Sequence, residues 1–302
     1  MGAPHARLRR RDPRLTLRPP RFPLRAGLPL PPACILSPTE IQEPGQEMAE
    51  EQRAAFDPKK SREQEYRETT QGKAVRPRDA STLIIVRRDG ARPQVLMGQR
   101  HADHKFMPNK FVFPGGRVDR ADSRIRPVED LRDPVARRLL ARMSGKPSEL
   151  RARALAMAAI RETFEETGLI IGRPATAPQK SKHADWNDYF SQGFAPALGT
   201  LDFVARAITP PYRTRRFDTR FFIADAETIQ GDPAKVAGSG ELQGLHWLTI
   251  ADARDLDLPN ITRVVLDELD ERLALATAAQ ASRHVPFIYF RNGNAIRDAI
   301  KD

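Results

Sequence analysis

The stretch from Ser148 to Gly168 leaves little structural choice: it reads as one helix with two faces of opposite character. Ser148 is a good N-cap, and Gly168 suits the left-handed turn that ends a helix. Leu150, Ala154, Met157, Ile160 and Phe164 recur at helical spacing and form an apolar stripe. On roughly the opposite side Glu162, Glu165 and Glu166 stand at i, i+3 and i+4, so they share one patch. Three like charges that close repel each other, and a helix gains little from them unless a cation sits there. Clustered carboxylate oxygens suit a hard cation such as Mg2+ or Mn2+, which in turn binds phosphate oxygens. A solvated acidic face is the commoner meaning of such a cluster, so the helix needs a second feature to set it apart.

The segments around this helix read as strands. Ser81–Val86 is a β-branched run that fits a buried strand, and Arg88-Asp89-Gly90 turns it into an antiparallel neighbour at Val95–Gly98. Phe111–Phe113 is a third strand, ended by Pro114-Gly115-Gly116. Asp133-Pro134 reads as an N-cap followed by Pro, opening a helix to about Met143. Further strands are expected at Leu201–Ile208, Thr219–Ile223 and Leu245–Leu248, with a closing helix over Ile261–Ala274. Trp247 and Phe287–Phe290 are expected to fill the core. Strands and helices in this order predict one α/β or α+β sandwich domain without internal repeats.

The first residues do not share this patterning. Residues 1–47 hold ten prolines, eight arginines, no lysine and four acids. A basic segment broken by prolines buries too little apolar surface to offset its ordering entropy, so it is expected to be disordered. Met48 follows and is a candidate true start. The expected organisation is therefore a tail and leader over residues 1–78 and a domain over 79–302. The chain has one cysteine, Cys34, which excludes an intramolecular disulfide and a cysteine-based zinc site. No apolar run is long enough for a transmembrane helix, and the last four residues, Ala299-Ile300-Lys301-Asp302, match no sorting signal. No membrane association and a cytoplasmic location are the expectations. His101, His104 and His246 are read as structural, because the expected metal prefers oxygen.

What sets the acidic helix apart is its pairing with Phe113-Pro114-Gly115-Gly116 upstream. Together they resemble the box of the Nudix hydrolases: Gly, five residues, Glu, seven residues, then Arg-Glu-apolar-x-Glu-Glu-x-Gly-apolar. Arg161 to Leu169 fits the second half, with Thr163 in the first apolar place, and Gly116 fits the start of the first half. Gly116 and Arg161 lie 45 positions apart, so a long insert, expected to be helical at about 120–150, interrupts the box. Asp122 stands where the box has its first Glu after Gly116, and Arg153 stands where that Glu falls when counted back from Arg161. The resemblance implies a Nudix α/β/α sandwich around a central mixed β-sheet. It also implies metal ligation by Glu162, Glu165, Glu166 and the Gly116 carbonyl, with Mg2+ or Mn2+ as cofactor. Arg161 would orient the carboxylates. Glu165, Arg161 and Glu241, the last in the loop before the final strand, are the implied catalytic residues. The implied reaction is attack of water on one phosphorus of a diphosphate.

Within the superfamily, the stretch Leu96–Gly116 has the register of a signature of coenzyme A-directed members, with Arg100 conserving an arginine of that pattern and Lys105 replacing another. Arg213, Arg215 and Arg216 follow the rigid Pro210-Pro211 pair just before a strand. Arg100, Lys105, Arg215 and Arg216 are the candidate substrate-binding cations. With the long insert and Arg216-Phe217-Asp218-Thr219, the chain resembles the peroxisomal-type coenzyme A diphosphatases and their bacterial relatives. The implied substrate is a small nucleoside-diphosphate-linked molecule, coenzyme A or an acyl-coenzyme A first. ADP-ribose, a dinucleotide or a nucleotide sugar would use the same chemistry. A non-catalytic Nudix domain that binds nucleotide or RNA is the reading from another class, and the formal charge of +11 fits it. The intact glutamate trio argues against that reading and makes nucleic acid the lesser partner. The resemblance leaves room for a homodimer. A chain beginning at Met48 is expected to keep the activity and melting temperature of the full chain. A marked fall in either would show that the tail folds onto the domain.

Overall fold

The central strand of the molecule carries no polar alternation, and the structure shows why. In the computed structural model, which describes residues 75–102, 108–230, 242–292 and 294–301, strand β1 (Arg78–Arg87) is covered on both faces. Successive side chains of a strand point to opposite faces. Leu83 and Ile85 enter one apolar cluster, and Ile84 and Val86 enter another. Burial on both sides suits a continuous β-branched run.

β1 pairs in parallel with β8 (Phe217–Asp225) along its full length, from Arg78 opposite Phe217 to Val86 opposite Asp225. Its other edge is shared: β2 (Gln94–Arg100) pairs with its end at Val86, and β4 (Gly115–Arg117), which follows the short β3 (Phe111–Val112), pairs antiparallel with Ala80–Thr82. The sheet runs β11-β10-β7-β8-β1-β2-β3, with β7 (Asp202–Ile208), β10 (Val285–Arg291) and β11 (Asn294–Ile300) on the far side and β9 (Leu242–Thr249) on β2. A two-stranded ribbon, β5 (Gly172–Pro174) with β6 (Phe194–Pro196), stands apart. The sheet is mixed, as expected. All of these residues belong to the unit Pro58–Asp302. No helix among the described residues is long and apolar enough to cross a membrane.

Helices α1 (Asp133–Leu140) and α2 (Glu149–Thr167) cover one face, and α3 (Ala184–Ser191) packs beside them. Helices α4 (Ile250–Arg254) and α5 (Asn260–Leu273) cover the other face, and a short α6 (Thr277–Ser282) precedes β10. The acidic helix begins and ends as read, at Ser148, whose Oγ accepts from Arg151 N, and at Gly168, with φ 73°. The insert is less helical than expected. Asp133 lies inside the first turn of α1, behind Arg132, and the helix stops at Leu140 because Arg142 takes a left-handed φ of 62°. Leu150, read as part of the apolar stripe, is exposed, since it falls in the first turn beyond the reach of the core. Phe287 is buried, whereas Trp247 is half-buried under the Arg87 guanidinium.

A chain of buried charge ties the acidic helix to the sheet. The Arg151 guanidinium donates to both Asp79 oxygens at 2.6 and 2.8 Å. Arg220 Nη1 bridges Asp79 and Asp218 at 3.0 Å each, and Arg206 grips Asp218 with two bonds. Burial alone would raise the Asp79 pKa, but the hydrogen bonds and charges of Arg151 and Arg220 outweigh it and hold it below 3.8. A depressed carboxylate contributes stability above its unfolded pKa and loses it as the pH falls through the folded value. Asp79→Asn is therefore expected to cost about 2–3 kcal/mol at pH 7. The gap from wild type should narrow as the pH falls through the depressed folded pKa. Urea melts at pH 7 and pH 3 measure this, and a gap independent of pH would refute it.

Candidate active site

The site forms where β4 meets the last turns of α2. Two glycines permit the approach. Gly115 has φ 154°, and a Cβ there would lie 2.4 Å from the Ser81 carbonyl oxygen. A Cβ on Gly116 would lie 2.4 Å from the Glu162 carboxylate. A side chain at Gly115 would push β4 off β1, and one at Gly116 would push α2 away from the strand. With the gap closed, Gly115 N–H donates to Glu166 Oε2 at 2.8 Å, which fixes one acid against the backbone.

Arg161 occupies the centre. Its side chain is 5% exposed and its donors all have acceptors. Nε and Nη2 bind the two oxygens of Asp122 at 2.9 and 3.1 Å, and Nη2 also reaches the Arg117 carbonyl oxygen at 2.9 Å. Nη1 donates to Glu162 at 2.9 Å and Glu165 at 3.5 Å. Burial works against the charge on Arg161, but its hydrogen bonds to Asp122 and the negative charge of Glu162 prevail and raise its pKa. The guanidinium is thus a permanent cation that both orients the two glutamates and offsets their repulsion.

Asp122 is fully buried and does not reach the cleft. Besides Arg161 it accepts from Trp186 Nε1 at 2.9 Å and from Asp119 N–H at 2.7 Å. Its shorter side chain does the work of a support for Arg161, and it ties α3 to the same hub. This bond brings His183 and Asp185, at the start of α3, to the cleft wall, where Asp119 also lies. Sequence reasoning missed all three: nothing in the 175–185 segment marks it as part of a site, and Asp119 falls at none of the fixed positions of the box. Asp119 is held below the usual carboxylate range, chiefly by the Ala121 N–H, with His183 and Arg161 adding to the effect. Arg153, in the other register of the box Glu, instead pairs with Asp130 away from the site.

The resulting cleft has a volume of about 880 Å3. Gly116, Glu162, Glu165 and Glu166 line it together with Arg161, and so do Arg100, Arg215 and Arg216. The predicted acids and three of the four predicted substrate cations therefore share one hollow. Lys105, His104 and Glu241 lie outside the described residues. A second hollow, between residues 175–180 and α3, contains none of the predicted residues.

Among the described residues, no three acidic or imidazole side chains converge closely enough to hold an ion as they stand. The contacts explain this: Glu166 turns to the Gly115 N–H, and Glu162 and Glu165 turn to Arg161. Glu162 and Glu165 share the Arg161 Nη1 group, and Glu166 takes a separate donor. The donor set is nonetheless all oxygen and lies on one wall, with the Gly116 main chain beside it, which fits a hard divalent cation.

No family model matches the chain. A nudix hydrolase 7 of Caenorhabditis elegans is 27% identical over 182 residues, covering 57% of this chain and 51% of that protein. An acyl-coenzyme A diphosphatase of Xenopus laevis is 26% identical over 209 residues, covering 53% of each. The chain thus spans about half the length of the curated relatives it matches. Among solved structures, a NUDIX hydrolase from Alicyclobacillus acidocaldarius is 28% identical with a TM-score of 0.46, over 64% of this chain and 90% of that one. The resemblance to the Nudix hydrolases seen in the box residues is borne out by the two curated relatives.

Glu166→Gln keeps an oxygen for the Gly115 N–H and removes one of three crowded charges. The variant is expected to melt at the same or a higher temperature than wild type in the absence of metal. Its turnover of any diphosphate substrate should fall by ~10³-fold, the scale of losing a main electrostatic stabiliser. Unchanged turnover in Mg2+ would remove this helix from the site.

Proposed function

We propose that the chain is a metal-dependent diphosphatase that cleaves coenzyme A, or an acyl-coenzyme A, to 3′,5′-ADP and (acyl-)4′-phosphopantetheine. The observation that carries this reading is the division of one cleft into an acidic wall, Glu162, Glu165 and Glu166, and a cationic wall that includes Arg100 and Arg215. The first suits a hard cation, and the second suits the anion it would act on. The naming of the Xenopus laevis relative as an acyl-coenzyme A diphosphatase supports the choice of substrate.

Mg2+ or Mn2+, held by Glu162, Glu165, Glu166 and the Gly116 carbonyl, would neutralise the phosphate oxygens and polarise the attacking water. The protein's own residues do the rest. Arg161 holds Glu162 and Glu165 in orientation through its bonds to Asp122 and the Arg117 carbonyl. Glu165, the most exposed of the trio, would accept a proton from water, and Glu241 is the alternative base. Arg100, Lys105, Arg215 and Arg216 would bind the substrate's phosphates. The water oxygen bonds to one phosphorus and the bridging P–O bond breaks, so the 3′-phosphate ester of the nucleotide is left intact. A reducing compartment such as the cytoplasm suits the lone Cys34.

A panel of diphosphates in Mn2+ with product identification tests the proposal. Coenzyme A and its short acyl thioesters are expected to turn over fastest, with 3′-dephospho-coenzyme A poorer by roughly ten- to a hundredfold in kcat/KM. Faster turnover of ADP-ribose or a nucleotide sugar would overturn the coenzyme A reading.

A further inference from the structure

The cationic wall of the cleft contains residues that the sequence places in a leader without a role. Arg76 and Arg78 line the cleft beside Arg215 and Arg216. Two facts of the fold bring them there. The parallel register sets Arg78 opposite Phe217, and the alternation of β1 puts Arg78 on the same face as Ala80 and Thr82, which form the floor. The incoming chain is then fastened to the 209–217 loop. Arg216 Nη1 donates to the Val75 carbonyl oxygen at 2.8 Å, its Nε donates to the Thr209 carbonyl oxygen at 3.0 Å, and Arg78 N–H donates to the Arg216 carbonyl oxygen at 3.0 Å.

The four arginines therefore differ in kind. Arg216 spends donors on backbone carbonyls and holds two segments together. Arg76, Arg78 and Arg215 are exposed, and none of them pairs with a carboxylate among the described residues. Arg206 and Arg220 of the sheet, and Arg151 of α2, are by contrast all paired with Asp79 or Asp218. Three cations lining one cleft, with no paired carboxylate among the described residues, repel each other, so the arrangement is best satisfied by an anion. The guanidinium fork matches the oxygens of a phosphate.

We propose that Arg76, Arg78 and Arg215 form a second phosphate subsite at the mouth of the cleft, which takes a phosphate monoester remote from the scissile diphosphate, and that Arg216 is its positioning residue. This deepens the diphosphatase reading and rests on it for the identity of the nucleotide. A substrate with a lone diphosphate would leave the lip unused, whereas a nucleotide with a separate monoester spans both ends. Small side chains at Ala80, Thr82 and Thr219 leave the floor between the two ends open.

The test uses the full chain without metal and compares binding of 3′,5′-ADP with that of 5′-AMP by calorimetry. Wild type is expected to bind 3′,5′-ADP at least about tenfold more tightly, the scale of one charge-assisted contact. Arg76→Ala with Arg78→Ala should abolish the preference and leave 5′-AMP affinity unchanged; both residues are exposed, so the melting temperature should not move. Arg216→Lys keeps the charge but loses the fork that binds Val75 and Thr209. It should also lose the preference, whereas Arg76→Lys should keep most of it. Equal affinity of wild type for the two nucleotides, or a preference that survives the double substitution, would overturn the subsite. The two readings fail separately. A preference that depends on Arg76 and Arg78, in a protein that does not cleave coenzyme A, leaves the subsite standing and removes the diphosphatase. Cleavage of coenzyme A without the preference does the reverse.

Discussion

A buried arginine is hard to place, and much of the site depends on how Arg161 is placed. A guanidinium cannot shed its charge when desolvated, so it must be surrounded by acceptors. Asp122 supplies two, the Arg117 carbonyl one, and Glu162 and Glu165 the remainder. That requirement draws together the strand after Gly116, the beginning of the insert, the acidic helix and, through Trp186, helix α3. The same charge lets three glutamates sit within two turns of helix. Removing the cation from this hub would leave Asp122 buried and unpaired beside two further acids. The support of the site and its electrostatics are thus one interaction.

A second network links Arg151, Asp79, Arg220, Asp218 and Arg206. It joins α2 to β1, β8 and β7 below the level of the glutamates. Buried ion pairs contribute little net stability compared with apolar packing, but breaking one is costly, so they constrain position more than they add stability. Here they set the height of α2 along the sheet, on which the contact of Gly116 with Glu162 depends. Alternation along β1 separates Asp79, which belongs to this paired set, from Arg78, which lines the cleft.

The sequence made the acidic helix legible almost to the residue, because caps and periodicity are local signals. Ser148, Gly168 and the spacing of Glu162, Glu165 and Glu166 needed no tertiary information. The same holds for β1, whose continuous β-branched run could only be a strand buried on both faces. The support shell was illegible. Asp122 and Trp186 lie 64 positions apart and meet only through the fold, and a lone tryptophan in a polar stretch carries no periodic signal. Helix α3 and the β5–β6 ribbon were missed for that reason. The leader was misjudged in its last residues: Arg76 and Arg78 look like solvated charge until the register of β1 on β8 brings them to the cleft. Arg215 and Arg216 look alike in sequence, and only the carbonyls that Arg216 reaches distinguish a fastening residue from a ligand-facing one.

The long insert within the box raises a physical question, since it separates Gly116 from Arg161 by 45 positions. Loop closure becomes costlier only slowly with length, so the added chain is tolerable if its ends are fixed. Both ends are. Asp122, near the start, is held by Arg161 and Trp186, and Arg151, just past the end, is clamped on Asp79. Between them, Val135 and Leu139 of α1 enter the core that α2 also lines, so the insert recovers apolar burial of its own. Gly116 and Glu162 therefore meet as closely as if the intervening chain were short. An insertion between two anchored points leaves the chemistry in place and is free to shape what surrounds it.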